Sequence, residues 1–221
     1  MPTISEQIAA ADERGLVRKI QRAMAFIAPT TVELPESLYS TGSLVDLKTS
    51  GFLPVGLVSP DGYSFSREIE KEDIDALGYA SPVRSDVTRV PRSVTFTALE
   101  KGRKHMLELT YGTDLSAVTQ DATTGEIVFD EPDLPVNAEY RLIVVGEDGP
   151  AAENWVMGKG FFRVKLSGTA EEVWGREGAV SQQFTLDVFS DDEAGVPVRH
   201  YIGGTGAVAH KDVLGFTQSA A

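Results

Sequence analysis

The sequence contains no cysteine. Disulfides, thiolate metal sites and a cysteine nucleophile are therefore excluded, and the chain suits folding in a reducing cytosol. Histidine is scarce: His105, His200 and His210 are the whole set, far apart in sequence. No G-x-S-x-G elbow occurs, which removes the commonest serine-hydrolase reading. No stretch reaches the ~18 consecutive apolar residues of a membrane helix, so no membrane span is expected. Met1 to Glu6 lacks a basic region leading into an apolar run, so no secretory signal is expected either. Basic residues are outnumbered, with 20 Lys and Arg against 33 Asp and Glu and a net charge of −13. Binding DNA by counterion release needs cations facing phosphates, and this balance argues against a groove that grips nucleic acid.

What is present is an ordinary globular core. The apolar fraction is 42% over 221 residues, enough for one large β-rich domain spanning 1–221 with arms at its ends. Thr3 and Glu6 form a capping-box pattern before an alanine-rich stretch, which predicts a short N-terminal helix within an arm of about residues 1–18. Ile20, Arg22, Met24, Phe26 and Ala28 fall on one face of a strand ended by Pro29. Residues 30–50 are weakly patterned but carry Leu34, Leu38, Tyr39, Leu44, Val45 and Leu47, too apolar for a solvated linker. Leu53, Val55 and Leu57, the turn Ser59-Pro60-Asp61-Gly62, and Tyr63, Phe65, Arg67 and Ile69 read as a hairpin. The chain breaks around Asp75 to Ser81, and a strand follows from Val90 to Ala98. Glu100 to Thr110 is the one interior helix, stopped by Gly112. Further strands are expected at Ile127–Phe129, Tyr140–Val145, Trp155–Leu166, Phe184–Phe189 and Val196–Ile202. Many short strands with one helix among them predict a mainly β fold, an antiparallel sandwich or barrel.

The candidate chemical motifs are weak. His105 and Glu108 stand at i,i+3 and read as an exposed surface pair better than as metal ligands. Gly203-Gly204-Thr205-Gly206 lacks the lysine of a phosphate loop and reads as a bend before a C-terminal arm of about 203–221. Asp130-Glu131-Pro132-Asp133 and Asp191-Asp192-Glu193 lack the alternation of a calcium loop and read as solvated turns. No catalytic, cofactor or metal residues are assigned. The residues alone leave two classes open, an assembly subunit and a β-sandwich module binding carbohydrate or protein on a virion or cell surface. Such a module would display an aromatic platform, for which Trp155 and Trp174 are the candidates, although both suit core packing.

An ordered set of segments narrows the choice. Arg18-Lys19-Ile20 runs into Phe26-Ile27-Ala28-Pro29. Leu53-Pro54-Val55-Gly56-Leu57-Val58-Ser59-Pro60-Asp61-Gly62 contains G-x-V-S-x-D-G. Ile69-Glu70-Lys71-Glu72-Asp73-Ile74, Pro82-Val83-Arg84, Val94 to Glu100, and Leu109-Thr110-Tyr111-Gly112 follow. In these the sequence resembles the major tail (tail tube) proteins of long non-contractile-tailed bacteriophages, those of actinobacteria in particular. The resemblance is strongest from about Arg18 to Gly112. It implies a non-enzymatic virion protein, assembled in the host bacterial cytoplasm, whose homo-hexameric rings stack into a tail tube. The implied partners are the tape measure protein, the tail terminator, the distal tail and tail-tip proteins, and DNA in non-specific transit. On that reading the loop at 30–50 bridges copies through Leu38, Tyr39, Leu44, Val45 and Leu47. Glu68, Glu70 and Asp187 line an anionic channel that repels the passing duplex.

Overall fold

The computed structural model describes residues 2–176 and 178–217. In chain order the elements are α1 (Ile4–Ala11), β1 (Arg22–Pro29), β2 (Tyr39–Ser40), β3 (Ser43–Leu44), β4 (Leu53–Pro54), β5 (Val58–Arg67), β6 (Glu70–Ile74), β7 (Arg84–Arg89), β8 (Arg92–Ala98), α2 (Lys104–Tyr111), β9 (Tyr140–Asp148), β10 (Trp155–Thr169), β11 (Gln182–Phe189), β12 (Val198–Gly203), α3 (Thr205–Ala209) and α4 (Lys211–Leu214). The fold is mainly antiparallel β, as the alternation of apolar residues predicts.

Eight strands form one sheet in the order β4-β1-β9-β10-β11-β8-β5, with β12 also paired to β10. Only Val55, Gly56 and Leu57 separate β4 at one end of that order from β5 at the other. The Val55 amide still donates to the Ala25 carbonyl at 2.9 Å, while the Leu57 carbonyl accepts from Leu99 at 2.8 Å. The sheet is therefore rolled until its ends come together at residues 55–57, leaving the rest of the β5 edge unpaired, a partly open barrel-like form of the expected architecture. Gly56 makes the crossing at φ 91°, where an added Cβ would stand 2.7 Å from the Glu100 carboxyl carbon.

Apolar side chains fill both faces of the roll. The inner core takes Ala25 and Ile27 from β1, Leu142 and Val144 from β9, Phe161 and Val164 from β10, Phe184 and Leu186 from β11, and Val94, Phe96 and Ala98 from β8. Helix α2 closes one end with Met106 and Leu109 and stops at Gly112 in the left-handed conformation. An outer core covers the other face of β1, β9 and β10 with Phe26, Ala28, Ile143, Val145, Val156 and Phe162. Its lid is the stretch after β1, through Leu34, Leu38, Leu47 and Phe52. Pro35 ties that lid down by accepting from the Tyr201 hydroxyl at 2.6 Å and from Arg199 at 3.1 Å.

Several expectations are corrected here. Ala25 to Ala28 are all buried, so β1 is covered on both faces where one was expected. Residues 53–69 form no local hairpin: β4 pairs β1, whereas β5 pairs β8. Ser59 to Gly62 loop out as a bulge opposite Thr97 while the strand continues, because turn-forming residues also suit a bulge. Residues 127–129 form no strand, and the Phe129 ring instead packs on Tyr111 at 5.5 Å. The expected break at 75–81 is the tip of a ribbon made by β6 and β7. Gly203 to Gly206 is not a loose bend, since Gly203 ends β12 and Gly206 is buried against the Trp155 indole in α3. The last residues of the expected C-terminal arm, 218–221, lie outside the described residues, as does Met1.

Candidate functional site

The N-terminal capping box forms as read, with Thr3 accepting from the Glu6 amide and Glu6 accepting from the Thr3 amide. Helix α1 buries no residue, and its Ile4 and Ile8 are exposed. The segment that follows is latched to the end of β9. Asp148, 8% exposed, accepts from the Lys19 amide at 3.1 Å and from Gln21 Nε2 at 3.3 Å. Arg18 stands 3.7 Å from the same carboxylate, its guanidinium 4.5 Å from the Trp155 ring centre. The latch joins residues more than a hundred positions apart, so no local pattern announces it.

Most of the ribbon stands clear of the body. Every residue of β6 and β7 is exposed. Ile74, Leu77, Tyr79, Val83 and Val87 are exposed apolar residues along it. A two-stranded ribbon is at best marginally stable alone in water, and a monomer gains nothing by showing solvent this many apolar side chains. Sequence reading missed the ribbon because neither face is buried, so no alternation marks it.

A second surface is the outward face of β10, β11, β8 and β5. Registered rows cross it: Lys165, Asp187, Ser93 and Ser66; then Thr185, Thr95 and Ser64; then Gln183 and Thr97. The two threonine hydroxyls at 95 and 185 are 3.3 Å apart, and Lys165 is neutralised by Glu139 at 3.0 Å. The face is short-chained, hydroxylated and poor in unpaired cations. Both of its edges are open. β5 pairs with β8 alone. Pairing of β9 on β10 ends at Val164, beyond which Asn137 donates to the Leu166 carbonyl. Exposed strand edges of this kind are templates for further pairing.

The residues expected to line a channel separate. Asp187 lies on the hydroxyl face, and Glu68 sits just beyond β5, its amide donating to the Pro91 carbonyl. Glu70 belongs to the ribbon, 3.6 Å from Arg89. The residues expected between copies separate too. Leu38 and Leu47 are 5% and 4% exposed in the chain's own outer core, which corrects their placement as outward contacts. Tyr39 and Val45 are half-buried and Leu44 is exposed.

A groove of about 760 Å³ opens between the β5 bulge and the start of β1. Met157, Lys159, His200 and Ile202 are among the residues lining it, with Ile20 and Arg22 on one side and the β5 bulge with Tyr63 and Phe65 on the other. Burial pushes the Tyr63 hydroxyl up to about 12. It also pulls the Lys159 ammonium below its usual range, over the Phe65 ring at 3.9 Å.

Neither histidine nor tryptophan builds a site. His105 is half-buried and bonds the Pro54 carbonyl at 2.8 Å, which holds α2 on β4; burial lowers its pKa. Glu108 accepts from the Leu115 amide, so the expected exposed pair is instead two structural anchors. Asp191 caps its own turn, accepting from the Glu193 and Ala194 amides. Trp155 is 3% exposed and Trp174 84%, so the two share no aromatic platform. Among the described residues no group of three or more His, Asp or Glu converges to hold a metal ion.

No protein-family model matches the sequence, and no curated protein matches it. Among solved structures the chain is similar to the tube terminating cap of the anti-feeding prophage, seen by cryo-EM. The TM-score is 0.41 at 9% identity, over 87% of this chain and 97% of that one. It is also similar to a chain of the sheath–tube complex of an extracellular contractile injection system in its extended state. There the TM-score is 0.39 at 9% identity, over 92% of this chain and 99% of the other.

Proposed function

We propose that this chain is a structural subunit that assembles edge to edge with copies of itself into hexameric rings, stacked as the tube of a bacteriophage tail. One observation carries the reading. The chain exposes 15166 Å², about half as much again as the ~9,900 Å² that surface scaling gives a folded monomer of 23.8 kDa. The excess of about 5,000 Å² is more than one partner gives even to a large obligate interface, so it suits a subunit with several contacts; the ribbon strands and α1 are exposed throughout.

The hydroxyl face supplies a geometry for closure. Its strands alternate in direction, so β5 of one copy meets the free edge of β10 on the next as an antiparallel pair. Four strands from each of six copies, spaced about 4.8 Å apart and tilted about 40°, close at a backbone radius of about 24 Å. That bore passes a DNA duplex. Asp187 and Glu68 give the wall negative charge, and its short hydroxyl side chains offer phosphates no cation to hold. Leu44, Tyr39 and Val45 remain the members of the 30–50 loop with surface to offer a neighbour. The work is mechanical and not catalytic. Its partners are further copies, the tape measure, terminator and distal tail proteins, and DNA in transit. Its place is the virion tail, built in the bacterial cytoplasm. A carbohydrate-binding module would need the aromatic platform that Trp155 and Trp174 do not make.

The test is electron microscopy and sedimentation of the purified chain over a range of concentration and salt. Six-fold rings or tubes with a central bore are expected. A monomer that stays monomeric throughout, even when seeded with tail tips, overturns the reading.

A further inference from the structure

The groove between the β5 bulge and the start of β1 holds groups that one chain leaves unmatched. Met157 and Ile202 are exposed apolar residues within it, and Ile20, also exposed, lies beside them. The Tyr63 hydroxyl is buried without a hydrogen-bond partner. Lys159 is partly withdrawn from water, and burial alone accounts for its shift, with no carboxylate contributing. Arg22 at the rim is already paired with Glu147 at 3.5 Å, and Asp61 on the bulge is the carboxylate among the lining residues. An apolar surface holding a cation that faces an aromatic ring but no carboxylate is matched by a segment that carries apolar side chains next to carboxylates.

The chain displays one such segment. The tip of the β6–β7 ribbon reads Asp73-Ile74-Asp75-Ala76-Leu77-Gly78-Tyr79. Leu77 is 104% exposed and Tyr79 72%, with both aspartates free to solvent. Five residues of strand at about 3.3 Å each carry that tip roughly 17 Å along the ribbon, enough to reach across a contact between copies.

We propose that the ribbon tip of one copy seats in the groove of a second, with Leu77 and Tyr79 on Met157 and Ile202 and the Asp75 carboxylate against the Lys159 ammonium. The inference rests on the self-assembly proposed above and names the surface at which the ribbon is received.

The absence of cysteine makes the test clean. Leu77→Cys is made on a tagged chain and Ile202→Cys on an untagged one; both positions are exposed, so folding is spared. The two are mixed, assembled and mildly oxidised. A mixed-size disulfide dimer is expected, well above that from a control pair of Leu77→Cys with Leu134→Cys. Assemblies that form normally but cross-link no better than the control overturn the inference and leave self-assembly standing. A chain that never assembles removes both. In a second arm Lys159→Glu raises the concentration needed for assembly roughly tenfold or more, and adding Asp75→Lys restores it. A charge reversal without effect, or one that Asp75→Lys does not repair, overturns the pairing.

Discussion

Asp148 accepts hydrogen bonds from Lys19 and Gln21 and faces Arg18 from a position 8% exposed. Asp148→Ala leaves a buried amide and a cation without their acceptor, and about 1–3 kcal/mol of stability is lost. Denaturant unfolding measures that loss, and trypsin is expected to cut first after Arg18 and Lys19 as the latch opens. A variant within about 0.5 kcal/mol of the parent, uncut at those sites, would show the latch to be idle. Tyr63 tests the groove at the same scale. Its folded pKa is raised to about 12 from 10.0, so the folded state holds its proton more tightly than the unfolded one. The stability from this group is complete below pH 10 and is lost as pH rises through about 12. The last tyrosine to ionise in an absorbance titration should vanish in Tyr63→Phe. The residues assigned to contacts between copies were legible only as apolar letters in an irregular stretch. Composition shows that Leu38 and Leu47 must be covered, but not that the same chain covers them.

Helix α2 is held on β4 by His105 and the Pro54 carbonyl. Burial lowers the His105 pKa below its ordinary 6.5, so the folded state binds its proton less readily than the unfolded chain. Stability is then full above about pH 6.5 and falls as pH drops toward the lowered value. His105→Gln, which keeps a donor for Pro54, is expected to flatten that slope in denaturation curves taken across the window; an unchanged slope would place the dependence elsewhere. Elements with one buried face were readable. Phe184, Leu186 and Val188 alternate with Thr185 and Asp187, and the structure has a strand there with alternate side chains in the core. Capping chemistry was readable at Thr3 and Gly112, since both act within one turn. Two kinds of element were not. β1 is buried on both faces, so its period carried only half the information. The β6–β7 ribbon is buried on neither, so it carried none. The misread hairpin at 53–69 has a third cause. Ser59 to Gly62 have turn chemistry, but pairing to β8 is a long-range choice that local residues do not make.

For the molecule as a whole, the gap between its exposed surface and that of a folded monomer of its mass predicts where protection appears on assembly. Amides of 70–89 pair only within the ribbon and should exchange with solvent quickly in the dispersed chain. In assemblies the same amides and those of β5 should slow sharply, while the strands around Leu142 and Val164 change little because they are already buried. Hydrogen exchange read by mass spectrometry on both forms makes the comparison. Equal exchange of the ribbon in the two forms would remove it from the contact. The pairing of β1 with β9 has a consequence at the ribosome. Arg22 and Glu147 are cross-strand partners 125 residues apart, so at synthesis rates of about 5–20 residues per second the β9-facing edge of β1 waits roughly 6–25 s for its mate, while β4 reaches the other edge sooner. On a heavily translated message, β9 of the chain ahead is already out while the β9-facing edge of β1 in the chain behind is still unclaimed. Two nascent chains so placed are set up to exchange first strands, and swapped dimers are the misassembly to look for when the protein is overproduced.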